Sequence, residues 1–223
     1  MTRPLVSLLD AFVPALCISC KAVGSLFCSA CRHKLSPRLH AVERSGFVGW
    51  SVFDLDVEVV NLVLSFKDRG RTALSSYLAR LLLPALEKYR AANPKLVSLP
   101  SSRSAIIRRG FDSNAVLLRR LSKVSGLARA PRAISLTRQP GDQRGLTAED
   151  RVLNLHGTMV AKKGSGPVLL VDDVVTSGAS ILEGRRALIA AGFEVVGFIT
   201  IAETLLEKSK KTSKVRAGEP EWV

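Results

Sequence analysis

Residues 168–180, VLLVDDVVTSGAS, restrict the fold more than any other stretch of the chain. Val168, Leu169, Leu170 and Val171 form a short apolar run, as expected for a strand buried on both faces of a parallel sheet. Two carboxylates, Asp172 and Asp173, follow where that strand is expected to end. Behind them Thr176, Ser177, Gly178, Ala179 and Ser180 form a small-residue loop that opens into a helical pattern. Ligands of open α/β sheets sit at the carboxyl ends of the strands, and a helix N-terminus offers free N–H groups to an anion. Backbone amides with the hydroxyls of Thr176, Ser177 and Ser180 suit a phosphate monoester. Asp172 and Asp173 suit a sugar diol, because carboxylates accept hydrogen bonds from hydroxyls. A phosphate at one end and vicinal hydroxyls at the other describe a ribose 5-phosphate.

The stretch resembles the signature of type I phosphoribosyltransferases, which bind phosphoribosyl pyrophosphate (PRPP). The apolar run, the acidic pair, Val174, Val175, Thr176 and the small loop fill its positions in order. The plainer alternative is an ordinary strand–turn–helix with acids at an exposed strand end. A complete ordered set in strand–loop–helix context favours the functional reading.

All four cysteines fall within fifteen residues, Cys17, Cys20, Cys28 and Cys31, as C-x2-C-x7-C-x2-C. Two such knuckles offer four thiolates to a tetrahedral Zn²⁺, and four Cys ligands close the coordination sphere, so the expected metal is structural. The seven-residue spacer is short and demands a compact module, with Gly24 available for the reversal. Disulfides are disfavoured in a reducing cytoplasm, and a redox CxxC comes as a single pair near a βαβ unit. Spacing alone leaves an iron–sulfur cluster open. His33 and His40 read as surface residues, since four thiols suffice.

The chain of 223 residues carries 33 basic and 19 acidic side chains, a net charge of +14. Half of that excess lies in residues 101–151, with eleven Arg or Lys against four Asp or Glu. Simple solubility is one reading; a polyanionic ligand, a polyphosphorylated sugar or a nucleic acid, is the sharper one. Aromatic residues are 5% and no basic–aromatic ladder appears, so a single-strand groove built on stacking platforms is not supported. At the N-terminus, Leu5, Leu8, Leu9, Phe12, Val13 and Leu16 have helical spacing interrupted by Asp10 and Pro14, which argues for a short amphipathic helix rather than a signal peptide. No run approaches the ~18 apolar residues needed to cross a membrane, so no membrane insertion and a cytoplasmic location are expected.

Phe47, Val48, Trp50, Val52 and Phe53 suggest one or two strands in a connector between the cysteine module and the main domain. An amphipathic segment over 57–66 ends in Lys67-Asp68-Arg69-Gly70-Arg71, and a second helix face runs from Leu74 to Tyr89, kinked or restarted at Pro84. Leu96–Leu99 reads as a strand followed by Pro100 and a polar turn. Arg103, Arg108 and Arg109 after it either hold pyrophosphate, which guanidinium matches, or form a solvated basic turn. A helix over 117–124 ends at Gly126. Gln139–Gly145 reads as a mobile loop, either closing over an intermediate or merely connecting, and Thr147–Asp150 as a capping box. Val195–Ile201 is a second buried strand, completing a βαβ unit.

Together these features resemble the ComF-type family of phosphoribosyltransferase-like proteins, from just before Cys17 to about Glu203. The cysteine pairs are similar to that family's zinc ribbon. Phe66–Gly70 resembles its lysine–glycine segment, and Arg109-Gly110-Phe111-Asp112 its arginine–glycine–aromatic–asparagine segment. Gln143, Gly145, Leu146, Arg151 and Asn154 stand at its glutamine–glycine–leucine…arginine–asparagine positions. Ser98-Leu99-Pro100 replaces its usual Pro-Val-Pro, and Asp112-Ser113 its Asn-Gln pair.

The resemblance implies an α/β, type I phosphoribosyltransferase-like parallel sheet flanked by helices, with a small N-terminal zinc-ribbon module of four cysteines. Residues 1–56 are then an N-terminal helix, metal module and connector, 57–206 the phosphoribosyltransferase-like domain, and 207–223 a disordered basic tail. It also implies PRPP with Mg²⁺ as ligand. As an enzyme, the chain would transfer ribose 5-phosphate to an acceptor, with Asp172 and Asp173 on the ribose hydroxyls or near Mg²⁺, residues 174–180 on the 5-phosphate, and Lys67, Arg103 or Arg108 on departing pyrophosphate. As a binding protein, it would sense PRPP and act in DNA uptake or processing through partner proteins or single-stranded DNA. No stretch reads as a nucleobase hood, which leaves the acceptor and the oligomeric state undefined.

Overall fold

The computed structural model describes residues 15–138 and 154–204. The amphipathic helix expected before residue 15, the loop and capping box at 139–150 with Gln143, Gly145, Leu146 and Arg151, and the basic tail lie outside the described residues.

In chain order the elements are α1 (Ser29–Lys34), β1 (His40–Arg44), β2 (Phe47–Asp54), α2 (Val57–Lys67), α3 (Ser75–Leu81), α4 (Leu83–Glu87), β3 (Lys95–Ser98), α5 (Arg103–Arg109), α6 (Ser113–Ser125), β4 (Ile134–Leu136), β5 (Met159–Ala161), β6 (Pro167–Val175), α7 (Ala179–Ala190) and β7 (Glu194–Glu203). Local chemistry sets several boundaries. The Asp56, Ser102 and Asp112 side chains accept from Val59, Ala105 and Ala115 amides and cap α2, α5 and α6. Gly110 and Gly126, both left-handed at φ 77°, end α5 and α6. Pro84 stands at the start of α4, where its missing N–H costs nothing, so the helical face over 75–87 is restarted there.

Five strands form one sheet in the order β1-β2-β7-β6-β3, with β1 antiparallel to β2 and every other pair parallel. The α/β class expected from the sequence is the one observed. Because side chains alternate across a strand, β6 sends Leu169 and Val171 to one face and Val168 and Leu170 to the other. The first face is covered by α2, α3, α4 and α6, through Phe66, Leu78, Leu82, Leu86, Leu117 and Leu121. The cysteine module packs into that same cluster through Cys17, Ile18, Phe27, Cys31 and Leu35. The second face is covered by α7 and by the small β4–β5 ribbon, with Ile134, Met159, Ile181 and Leu188.

Two expectations need correction. Strand β6 does not stop before the acidic pair: its parallel pairing with β7 runs on through Asp172↔Thr200, Val174↔Ala202 and Val175↔Glu203. The stretch read as a connector supplies β1 and β2, and β2 pairs with β7 from Gly49↔Phe198 to Asp54↔Glu203. Gly49 fits there because the Phe198 ring fills the space that a side chain at that position would occupy.

Candidate functional site

Continuation of β6 through the acids puts them on opposite sides of the strand. Asp173 turns into the protein and is 2% exposed. The Lys67 ammonium, at the end of α2, spans its two oxygens at 2.9 and 2.6 Å. Burial works against the Lys67 charge, but Asp173 and Asp172 outweigh it and hold the ammonium above its ordinary pKa. Asp172 is only half-buried and faces a cleft lined also by Val174, Val175, Thr176, Ser177, Gly178, Ala179, Ser180 and Ile181. Its Oδ1 accepts from the Asp173 backbone N–H at 3.0 Å and from the Asn114 amide at 3.3 Å. Burial, with the adjacent Asp173 charge, pushes the Asp172 carboxyl up to about 7, against the pull of Lys67.

The floor of the cleft is the turn from β6 into α7. Gly178 is left-handed at φ 82°, a conformation that disfavours any residue with a Cβ. The Ser177 hydroxyl accepts from the Ala179 amide at 3.4 Å. The following N–H groups of the twelve-residue α7 start the helix without intrahelical partners and carry its positive end. The arrangement has the donors to suit an anion at the loop and offers one open carboxylate beside it.

Of the residues expected to form the site, Asp172 and Val174–Ser180 line one cleft. Asp173 and Lys67 form an ion pair behind it, and the ammonium expected to meet departing pyrophosphate is bonded to Asp173. Val175 is at the same time a core residue, 2% exposed. Arg103 and Arg108 are exposed on α5, which follows the strand paired with β6, and make no hydrogen bond or ion pair among the described residues.

The segments around Lys67 and Arg109 meet. The Arg109 Nε donates to Asp68 at 2.8 Å, and the Phe66 and Phe111 rings touch edge to face. Asp112 caps α6 and accepts from the Ser101 hydroxyl at 2.9 Å, so the aspartate that departs from the ComF-type pattern serves a local structural bond. Two contributors were not singled out from sequence. Asn114 ties the start of α6 to Asp172 and to the Leu99 carbonyl, but an asparagine in the first turn of a helix carries no such signal. Arg44, in a strand of alternating polarity, is 6% exposed and donates its Nε to the Thr176 carbonyl at 2.8 Å.

The cysteine cluster is a second site. Cys17, Cys20, Cys28 and Cys31 bring their sulfurs within 4.8 Å of one another, with Cys20 and Cys28 at 3.6 Å. That separation is far beyond a disulfide bond and close to the edge of a tetrahedron with ~2.3 Å metal–sulfur bonds. Burial raises the Cys17 thiol, but the Cys28, Cys20 and Ser19 backbones outweigh it and bring its pKa down to about 6. Cys20, helped by the Ala22 backbone but opposed by the three other sulfurs, is pushed up to about 11. Four thiols this close ionise together only around a cation, so the donor set fits a structural metal such as zinc. Gly24, at φ 115°, makes the reversal that the short spacer demanded.

No family model matches the chain. The DNA utilization protein YhgH of Salmonella typhimurium is 29% identical over 202 residues, covering 86% of this chain and 85% of that protein. Competence protein F of Haemophilus influenzae is 27% identical over 145 residues, covering 60% and 63%. Adenine phosphoribosyltransferase of Polynucleobacter asymbioticus is 30% identical over 107 residues, 48% of this chain and 60% of that one. Among solved structures, adenine phosphoribosyltransferase from Saccharomyces cerevisiae aligns with 84% of this chain and 95% of its own, at 15% identity and a TM-score of 0.37. The chain, with its four-cysteine cluster, is thus similar to the DNA utilization protein YhgH over most of its length and to competence protein F over part of it.

Proposed function

We propose that the cleft at the end of β6 binds PRPP and that the chain transfers its ribose 5-phosphate to an acceptor, releasing pyrophosphate. The observation that carries this reading is the division of labour between the two acids. Asp173 is neutralised by Lys67, whereas Asp172 presents a carboxylate to the same cleft as the 176–180 loop. A ribose 5-phosphate needs that combination, a hydroxyl acceptor a short distance from a cluster of N–H and O–H donors. The loop and the first turn of α7 bind the 5-phosphate; Asp172 orients the ribose hydroxyls and stabilises charge that develops on the sugar, so catalysis is positioning and electrostatics. Mg²⁺ bound with PRPP supplies neutralisation of the pyrophosphate oxygens, and Asp172 is a hard oxygen donor of the kind it takes. Arg103 and Arg108 are assigned to the pyrophosphate side. Zinc in the four-cysteine cage is structural, since its loss would open the cluster that Cys17, Phe27 and Cys31 share with α2 and α3.

A second reading is favoured by the names of the relatives. The same pocket binds PRPP without turnover, and the basic surface acts in DNA uptake or processing through partner proteins or single-stranded DNA. No helix among the described residues is long and apolar enough to cross a membrane.

Calorimetric titration of zinc-replete protein with PRPP, with and without Mg²⁺, followed by a pyrophosphate-release screen over bases and amines, tests both. Saturable binding with release for one acceptor is the expected result; binding without release selects the second reading, and no binding overturns both. Chelation of the metal in the cysteine cage is expected to lower the melting temperature by several degrees, restored by Zn²⁺ but not by Mg²⁺.

A further inference from the structure

Arg44 does not line the cleft, yet its side chain is more completely committed than any residue that does. Its Nε donates to the Thr176 carbonyl at 2.8 Å and its Nη1 to the Glu43 carbonyl at 2.9 Å. Its Nη2 reaches Glu203 Oε2 at 2.8 Å and the Thr204 carbonyl at 3.2 Å. Glu203, itself buried, takes a second partner on its other oxygen, His40 Nε2 at 2.7 Å, and the other His40 nitrogen is fixed by the Arg38 carbonyl at 2.7 Å. The methylene stem of Arg44 also occupies the space beside Gly178: a Cβ there would stand 2.6 Å from Arg44 Cγ and 2.7 Å from Arg44 Cβ.

An arginine buried only to neutralise Glu203 would have no need of the Thr176 carbonyl or of Gly178. The Thr176 contact has a geometric consequence. In a trans planar peptide the C=O and the following N–H point in opposite directions. A Thr176 carbonyl turned to Arg44 therefore turns the Ser177 N–H away from Arg44, on the side from which an anion can reach it. The Ser177 N–H has no backbone partner among the described residues.

We infer that Arg44 is a positioning residue for this site: it fixes the 176–178 peptides in the orientation that receives the phosphate, and Glu203, gripped by His40, keeps it there. This rests on the phosphate-binding reading of the 176–180 loop and extends it to a residue more than 130 positions away in sequence.

The experiment compares Arg44→Lys, Arg44→Gln and Glu203→Gln with the unaltered chain, each zinc-replete and checked for folding by circular dichroism. Two measurements are made: PRPP affinity by calorimetry, and the backbone amide resonances of residues 176–180 in the ligand-free protein. Lysine keeps the charge but lacks the planar fork that reaches several acceptors at once. A merely electrostatic role is rescued by Arg44→Lys. A positioning role is not: both Arg44 variants shift or broaden the loop resonances and weaken PRPP binding about tenfold or more, the size of one lost charge-assisted bond. Glu203→Gln has the same effects at smaller size, and it decides the matter should both Arg44 variants fail to fold. Unmoved resonances with unaltered affinity in Arg44→Lys overturn the inference. Moved resonances in a protein that never binds PRPP uphold the positioning role and overturn the ligand assignment instead.

Discussion

Two neighbouring strand ends, those of β6 and β7, both carry buried acid, and they use it in opposite ways. Glu203 on β7 is saturated: Arg44 takes one oxygen and His40 the other, and its carboxylate holds the fold together. On β6 the load is split. Asp173 is closed off by Lys67, while among the described residues Asp172 has an adjacent backbone N–H and the Asn114 amide as hydrogen-bond partners, and opens to the cleft. The difference separates carboxylates that stabilise from the one left available for a ligand. An acid kept half-open beside another acid costs stability, and such costs concentrate where a protein binds.

The largest expected effects fall on the closed pairs. Lys67→Met leaves Asp173, 2% exposed, without its counter-charge and with the Val174 N–H on one oxygen, and Glu203→Gln leaves Arg44 buried without its counter-charge. Breaking a buried pair from one side costs about 3–5 kcal/mol, so either change should lower the denaturation midpoint sharply in a urea titration. If Glu203→Gln proves as stable as the parent, the two strand ends do not differ in the way described.

Asp172→Asn is expected to behave in the opposite sense. It removes a like charge beside Asp173 and keeps the shape, so stability should stay level or rise slightly. PRPP affinity should fall about tenfold or more, the worth of a charge-assisted bond. Loss of stability together with unchanged affinity would reverse the roles assigned to the two strand ends.

How far this contrast was legible beforehand depends on whether its parts are contiguous. The 168–180 run carries strand, acids and loop in one stretch, so its apolar period and small residues announced the cleft. The four cysteines were equally plain, since two knuckles within one short stretch need no tertiary information. What could not be read was pairing at a distance. Lys67 was legible as a charge near the site, but not as the partner of Asp173 across 106 positions. Arg44 and Glu203 are 159 positions apart: one lies in an edge strand of ordinary alternation, and the other closes a continuously buried strand, where a terminal acid reads as a solvated end. Even the strand end was misjudged at the acids, because carboxylates resemble a terminus unless the neighbouring strand is known to pair through them.

The pH dependence sharpens the contrast further. The Asp172 carboxyl, raised by burial to about 7 from an ordinary value near 3.8, holds its proton in the folded chain over a range where the unfolded chain has lost it. Its contribution to stability therefore declines as pH rises from about 4 to about 7, and is absent in Asp172→Asn. PRPP affinity should run the other way, rising from about pH 6 to about pH 8 as Asp172 ionises. Titration of PRPP's own phosphates remains in Asp172→Asn, so only the part of the slope lost in that variant belongs to the protein.

The smallest expected effect tests whether the grip on Glu203 is shared evenly. His40 Nε2 lies 2.7 Å from Glu203, but its side chain is 21% exposed, against 6% for Arg44. Solvent weakens the outer bond, and a pair in that position contributes about 1 kcal/mol or less. His40→Gln should lower stability by no more than that in a denaturant titration, far less than Glu203→Gln, because Arg44 still closes the carboxylate. A loss as large as that of Glu203→Gln would mean that histidine, not arginine, bears the charge on β7. Closure of the β7 end would then rest on the more exposed of its two β1 partners rather than on the buried one.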